Sequence, residues 1–154
     1  IVEDITLRHT VIRDFQNQRI IVPNSVISAQ TIVNAHIGDE RFKRQVFFSI
    51  SYDSDIEKAF EIITEEALNH PNCIDGRKPE EKQIDWPIVK CRVIGFGDSS
   101  VNLRADVWSE TPELSWELFC DLNKSIKERF DKEGIEIPFP HRTLVYKKDL
   151  PANA

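Results

Sequence analysis

The feature that most constrains this chain is the order of its hydrophobic periods. Beyond residue 44 they run two-residue, helical, two-residue, two-residue, helical, two-residue. Gln45 to Tyr52 alternates, with Val46, Phe48, Ile50 and Tyr52 on one face, as a half-buried strand requires. Ser54-Asp55-Ile56-Glu57 has the form of a capping box. Ile56, Ala59, Phe60, Ile63 and Ala67 then follow at helical spacing until Asn69-His70-Pro71. Ile88 to Phe96 and Val101 to Trp108 read as a hairpin through Asp98-Ser99-Ser100, with Val101, Leu103, Ala105 and Val107 inward and Asn102, Arg104 and Asp106 outward. Thr111 caps a second predicted helix, Pro112 opens it, Leu118, Leu122, Ile126 and Phe130 line its core side, and Gly134 ends it. A last strand is expected over Arg142 to Lys148, after the corner Ile137-Pro138-Phe139-Pro140. Such a β-α-β-β-α-β order is that of ferredoxin-like domains, an antiparallel sheet with two helices on one face.

Residues before this pattern differ. Ile5 to Arg13 reads as one β-branched strand, and Arg19 to Val22 as a second that Pro23 ends, with Gln16-Asn17-Gln18 between them. Asn24 or Ser25 is placed to cap a short helical turn, and Thr31 to Asn34 reads as another strand. So small an all-β piece cannot close a core alone. The charged stretch Gly38-Asp39-Glu40-Arg41 separates the two patterns, so two units are expected, residues 1–37 and 38–154. Residues 72 to 87, with Gly76, Pro79 and Pro87 among charges, read as a long exposed loop.

Composition narrows the function classes. At 40% hydrophobic and 30% charged, the chain is globular rather than disordered. No apolar run approaches the roughly 20 residues needed to cross a membrane. The net charge of −6 argues against nucleic-acid partners. Residues 1–37 hold three basic and three acidic groups, so the acidic excess falls on residues 38–154. Cys73, Cys91 and Cys120 form neither an even disulfide set nor a C-x-x-C pair, which favours a reduced compartment. The first residues carry neither an initiator methionine nor a targeting signal, so the chain is expected to be part of something longer.

Catalysis finds no support, because no G-x-S-x-G elbow or comparable motif gathers a nucleophile and base. His9, His36, His70 and His141 lack metal-ligand spacing, so neither a metal nor a cofactor is expected. Gly95-Phe96-Gly97 lacks the third glycine and following helix of a dinucleotide loop. Arg41, Lys43 and Arg44 fit either lipid headgroups or a solvated junction, and Lys124, Lys127 and Arg129 a solvated helix face. Phe139, held between two prolines, stands out as an aromatic presented on a rigid corner, for packing or for a subunit contact.

Three stretches resemble the small-conductance mechanosensitive channel family, in the family's order. They are Val2-Glu3-Asp4-Ile5-Thr6-Leu7-Arg8 through Arg19-Ile20-Ile21-Val22-Pro23-Asn24-Ser25, then Tyr52-Asp53-Ser54-Asp55, then Phe130-Asp131 with Gly134-Ile135-Glu136-Ile137-Pro138-Phe139-Pro140. The resemblance implies an α+β chain: a partial Sm-like β domain at 1–37, then a ferredoxin-like cytoplasmic domain at 38–154. It further implies a vestibule on the cytoplasmic side of a cell membrane, self-association into a ring that would be heptameric, and pore helices upstream of Ile1. The loop from Cys73 to Pro87 departs from the family by its length. Ile137, Pro138, Phe139, Pro140, Leu144 and Tyr146 are the candidate subunit contacts, since the final strand carries apolar groups on both faces. A ligand-binding regulatory module with a ferredoxin-like fold is the alternative reading, and an Sm-like RNA binder a weaker third that the charge disfavours.

Overall fold

A computed structural model describes residues 1–32, 38–142 and 144. The chain divides into two compact units, Ile1–Ile37 and Gly38–Ala154.

Among the described residues the first unit is a three-stranded antiparallel sheet, β1 (Val2–Ile5), β2 (His9–Arg13) and β3 (Arg19–Pro23), in that order, followed by the short helix α1 (Asn24–Ala29). The single strand expected from Ile5 to Arg13 is broken. The Thr6 hydroxyl oxygen accepts from the amides of Arg8 and His9, folding a local turn that competes with extended backbone. Asn17 makes the expected tight connection in the left-handed region, at φ 64°. Asn24 does not cap α1 but is its first residue, and Pro23 occupies the cap position. The Asn24 side chain instead accepts from the Thr10 hydroxyl and donates to the Thr6 carbonyl, tying the helix to the β1–β2 turn. Thr31 and Ile32 are not in a strand, and Val33 and Asn34, the rest of that expected element, lie outside the described residues.

The second unit contains β4 (Phe42–Ile50), α2 (Ile56–Asn69), the short α3 (Pro79–Gln83), β5 (Lys90–Phe96), β6 (Val101–Ser109) and α4 (Pro112–Glu133). Its antiparallel sheet has the order β4-β6-β5. Among the described residues the outer edge of β4 is open, which is where a ferredoxin-like order would seat a further strand. The strand expected over Arg142 to Lys148 lies outside the described residues except for Arg142 and Leu144, and neither of these is in a strand.

The core forms where the periodic faces meet. Val46 and Ile50 from β4, Leu103 and Val107 from β6, and Leu118, Leu122, Ile126 and Phe130 from α4 are fully buried. In α2 the buried face is Ala59, Ile62, Ile63 and Ala67, so Ile62 takes a place expected for Ile56 and Phe60, which are only partly covered. Asp55, not Ser54, caps α2, accepting from the amides of Glu57 and Lys58. Thr111 caps α4 through the Leu114 amide, and Gly134 ends it at φ 77°, a conformation open to glycine. Tyr52 lies beyond β4 and is half exposed, stacked on Phe96 at 6.2 Å rather than extending the core face.

The stretch from 72 to 87 is not a free loop. The Ile74 amide donates to the Trp108 carbonyl, Gly76 is buried against the Trp108 ring, and Arg77 joins Asp75 to the Trp86 carbonyl. α3 begins at Pro79, with Glu81 accepting from the Lys78 amide and pairing with Lys90 at 2.5 Å.

Candidate functional site

The corner after α4 is a strap fixed at both ends. At its start Ile135 is buried, the Glu136 carbonyl accepts from the Ser51 amide at 2.8 Å, and the Glu136 amide donates to Ser54 Oγ at 3.0 Å. At its far end the His141 amide donates to Ser99 Oγ at 3.1 Å. Ser51 and Ser54 belong to the β4–α2 connection and Ser99 to the β5–β6 turn, so the strap spans one end of the second unit. This explains why Ser54 is not the helix cap: its oxygen is engaged by the strap.

Held in this way, Ile137 is 44% and Phe139 77% exposed, with Pro138 half-buried and Pro140 exposed. A cleft of about 380 Å³ lies beneath them, lined by Ser49, Asp98, Ser99, Ser100 and the corner itself. Phe96, 72% exposed, and Tyr52 lie nearby in the chain's β5 end and β4–α2 connection, joined by the Tyr52 hydroxyl bond to the Gly97 carbonyl. Leu144 is exposed, and Tyr146 lies outside the described residues. The structure therefore places four of the six expected contact residues on one rigid turn.

Electrostatics divides this unit by layer. α2 and α4 together carry ten acidic and five basic side chains, whereas the three strands carry five basic and one acidic. The acid is Asp106, expected on the solvated face but almost fully buried. Three cations crowd it: Arg104 Nε at 3.1 Å, Arg92 Nη1 at 3.5 Å and Lys43 Nζ at 4.0 Å. Alternation gave the side of the sheet correctly and missed the burial, because long cationic side chains cover a short carboxylate. Arg129 clamps the helices together, bonding Glu65 at 2.8 Å and Glu133 at 2.5 Å, and its hydrogen bond holds the Glu133 carboxyl below the usual range. Burial pushes the Cys73 and Cys91 thiols up, which keeps both as thiols rather than reactive thiolates. Among the described residues no three His, Cys, Asp or Glu side chains are grouped to hold a metal, and no helix is long and apolar enough to cross a membrane.

Residues 45–137 match the family model described as mechanosensitive ion channel MscS, C-terminal, and residues 1–37 match the mechanosensitive ion channel beta-domain. An uncharacterized MscS family protein of Archaeoglobus fulgidus is 36% identical over 99% of this chain and 50% of its own length. The small-conductance mechanosensitive channel MscMJ of Methanocaldococcus jannaschii is 33% identical over 97% of this chain and 40% of its own. The crystal structure of Helicobacter pylori MscS in its closed state is similar in fold, with a TM-score of 0.80 at 21% identity, over 95% of this chain and 53% of that one. The chain thus spans about half or less of the length of the proteins it matches here. With both of its units matched in order, the chain belongs to the MscS family of mechanosensitive ion channels.

Proposed function

We propose that this chain is the cytoplasmic vestibule portion of a mechanosensitive channel that releases solutes on hypo-osmotic shock. The tension-sensing pore would be supplied by segments outside this chain. The observation carrying this reading is the consecutive match of both units to channel families, with relatives named as small- and large-conductance mechanosensitive channels. In this role the first unit is a partial Sm-like β domain, the second a ferredoxin-like cytoplasmic domain, and the chemistry is passive flow rather than catalysis.

In this role the chain assembles into a ring, heptameric as the family resemblance implies. The first unit leaves Ile5, Leu7, Ile21 and Phe15 largely exposed, more apolar surface than a solitary sheet tolerates. Repeating one heterologous contact until it closes would cover it. The rigid strap presenting Ile137 and Phe139 suits the same purpose, because an aromatic on a fixed turn loses little entropy when a neighbour covers it.

The test is electrophysiology of the full-length protein in membrane patches from cells lacking their own osmotic channels, together with survival of a sudden dilution. Tension-activated currents and rescued survival are expected. A correctly inserted full-length protein that gives neither would overturn the reading.

A further inference from the structure

We infer that the cationic outer face of the β4-β6-β5 sheet docks the acidic face of α2 on a neighbouring copy of the same chain. The inference rests on the ring assembly proposed above and names the surfaces that would meet. It begins with a mismatch inside the sheet. Arg92 and Arg104 stand directly opposite each other on neighbouring strands, with Phe47 completing the row from β4. Like charges directly opposite destabilise a sheet, and here one carboxylate, Asp106, serves Arg92, Arg104 and Lys43 together.

Even that service is incomplete. Arg104 Nε and Asp106 Oδ1 are 3.1 Å apart but badly aligned, and among the described residues neither buried atom has a hydrogen-bond partner. The Arg104 guanidinium thus keeps donor capacity that Asp106 does not take up, and a further carboxylate is the group that accepts it. The face is also half apolar at its centre, because the Phe47 ring points outward at 55% exposure. Excess positive charge around an exposed aromatic fits a carboxylate-bearing surface with aliphatic stems.

The same chain carries such a surface. Glu57, Glu61 and Glu65 recur every fourth residue along α2, opposite its buried face of Ala59, Ile62 and Ala67. Like charges at this spacing weaken a helix. Arg129 relieves Glu65, but among the described residues no cation pairs with Glu57 or Glu61. One unit thus displays two patches of opposite sign, each with charge left over after its internal pairing.

Their placement decides the kind of contact. Sheet face and helix face lie on opposite sides of a two-layer unit, so a copy cannot satisfy itself, nor can two copies satisfy both patches reciprocally. The contact is head-to-tail, the type that closes into rings.

Charge reversal in the full-length protein tests this, with assembly followed by native mass spectrometry and light scattering at low and high salt. Arg92→Glu with Arg104→Glu, or Glu57→Arg with Glu61→Arg, should each weaken association at low salt by about tenfold or more. The variant carrying all four changes should recover it. Milder Arg92→Gln and Arg104→Gln changes should lower the salt sensitivity of assembly while leaving the circular dichroism unchanged. Intact assembly in both reversed pairs, or no recovery in the fourfold variant despite unchanged circular dichroism, overturns the proposal. So does an intact ring in which the sheet-face reversal abolishes only binding to phosphatidylglycerol vesicles or to inorganic phosphate. A wild-type protein that never assembles refutes the ring itself, whereas a stable ring indifferent to these changes refutes this contact alone.

Discussion

Among the described residues the two sheets of this chain are both three-stranded and antiparallel, yet only one of them has an interior. In the second unit the helices α2 and α4 cover one sheet face, and every fully buried hydrophobic side chain among the described residues belongs there. Among the described residues of the first unit the most buried is a polar one, Thr10, while Ile1, Leu7, Phe15 and Ile21 remain largely exposed. Strand-forming sequence therefore does not by itself make a core; an amphipathic partner must be within reach of the same chain. A sheet that lacks one has its stability set by whatever covers it later.

The largest expected effect separates the units by truncation. Leu122→Ala should cost about 3 kcal/mol or more in urea unfolding, since it empties a closed site. Ile21→Ala, removing a side chain that is 64% exposed, should cost well under about 1 kcal/mol in the isolated chain. Comparable losses at both positions would break the contrast, and a rise in the cost of Ile21→Ala within the assembled full-length protein would sharpen it.

Next comes Gly76, where an added Cβ would fall 2.1 Å from Trp108 Cγ. Gly76→Ala should destabilise the second unit by about 1–3 kcal/mol and increase proteolysis between residues 72 and 87. Unchanged protease resistance would mean that the segment does not depend on this seat. A smaller loss, about 1 kcal/mol, is expected from Thr111→Ala, because the Leu114 amide loses its acceptor. It should lower the melting temperature by only a few degrees and leave the first unit's backbone signals in place.

The smallest effect concerns acid. A hydrogen bond from Arg41 draws the Asp39 carboxyl down to about 2 from 3.8. A carboxyl lowered on folding contributes above its unfolded value and loses that contribution as pH falls through the folded one. Asp39→Asn should therefore flatten the pH dependence of second-unit stability only between about pH 4 and 2. A change near neutrality would contradict this origin. Because the pair is exposed, added salt should shrink the effect.

How legible all this was depends on the range of the interaction. The faces of α4 and β6 could be read from spacing alone, since burial of Leu118 to Phe130 and Val101 to Val107 follows directly from period. The corner Ile137–Pro140 was legible as rigid and apolar. Its anchoring by Ser51, Ser54 and Ser99 was not, because those serines lie roughly 40 to 85 residues earlier in the chain. For the same reason Ser54 looked like a cap, and the break at Thr6 was hidden by a β-branched residue whose hydroxyl serves a turn. Asp106 shows the limit of alternation: period assigns a side of the sheet, whereas burial depends on neighbours from other strands.

The strap has a kinetic meaning as well. Its anchors join the end of α4 to both turns at one end of the sheet, so the last helical turn cannot fray without releasing a tie between distant chain segments. The amides of Ser51, Glu136 and His141 should then exchange their protons with solvent together, as one cooperative opening, rather than in the graded order usual for a helix end. Whatever pulls on the chain beyond Pro140 would act on the sheet directly, and α4 would be shielded from the load.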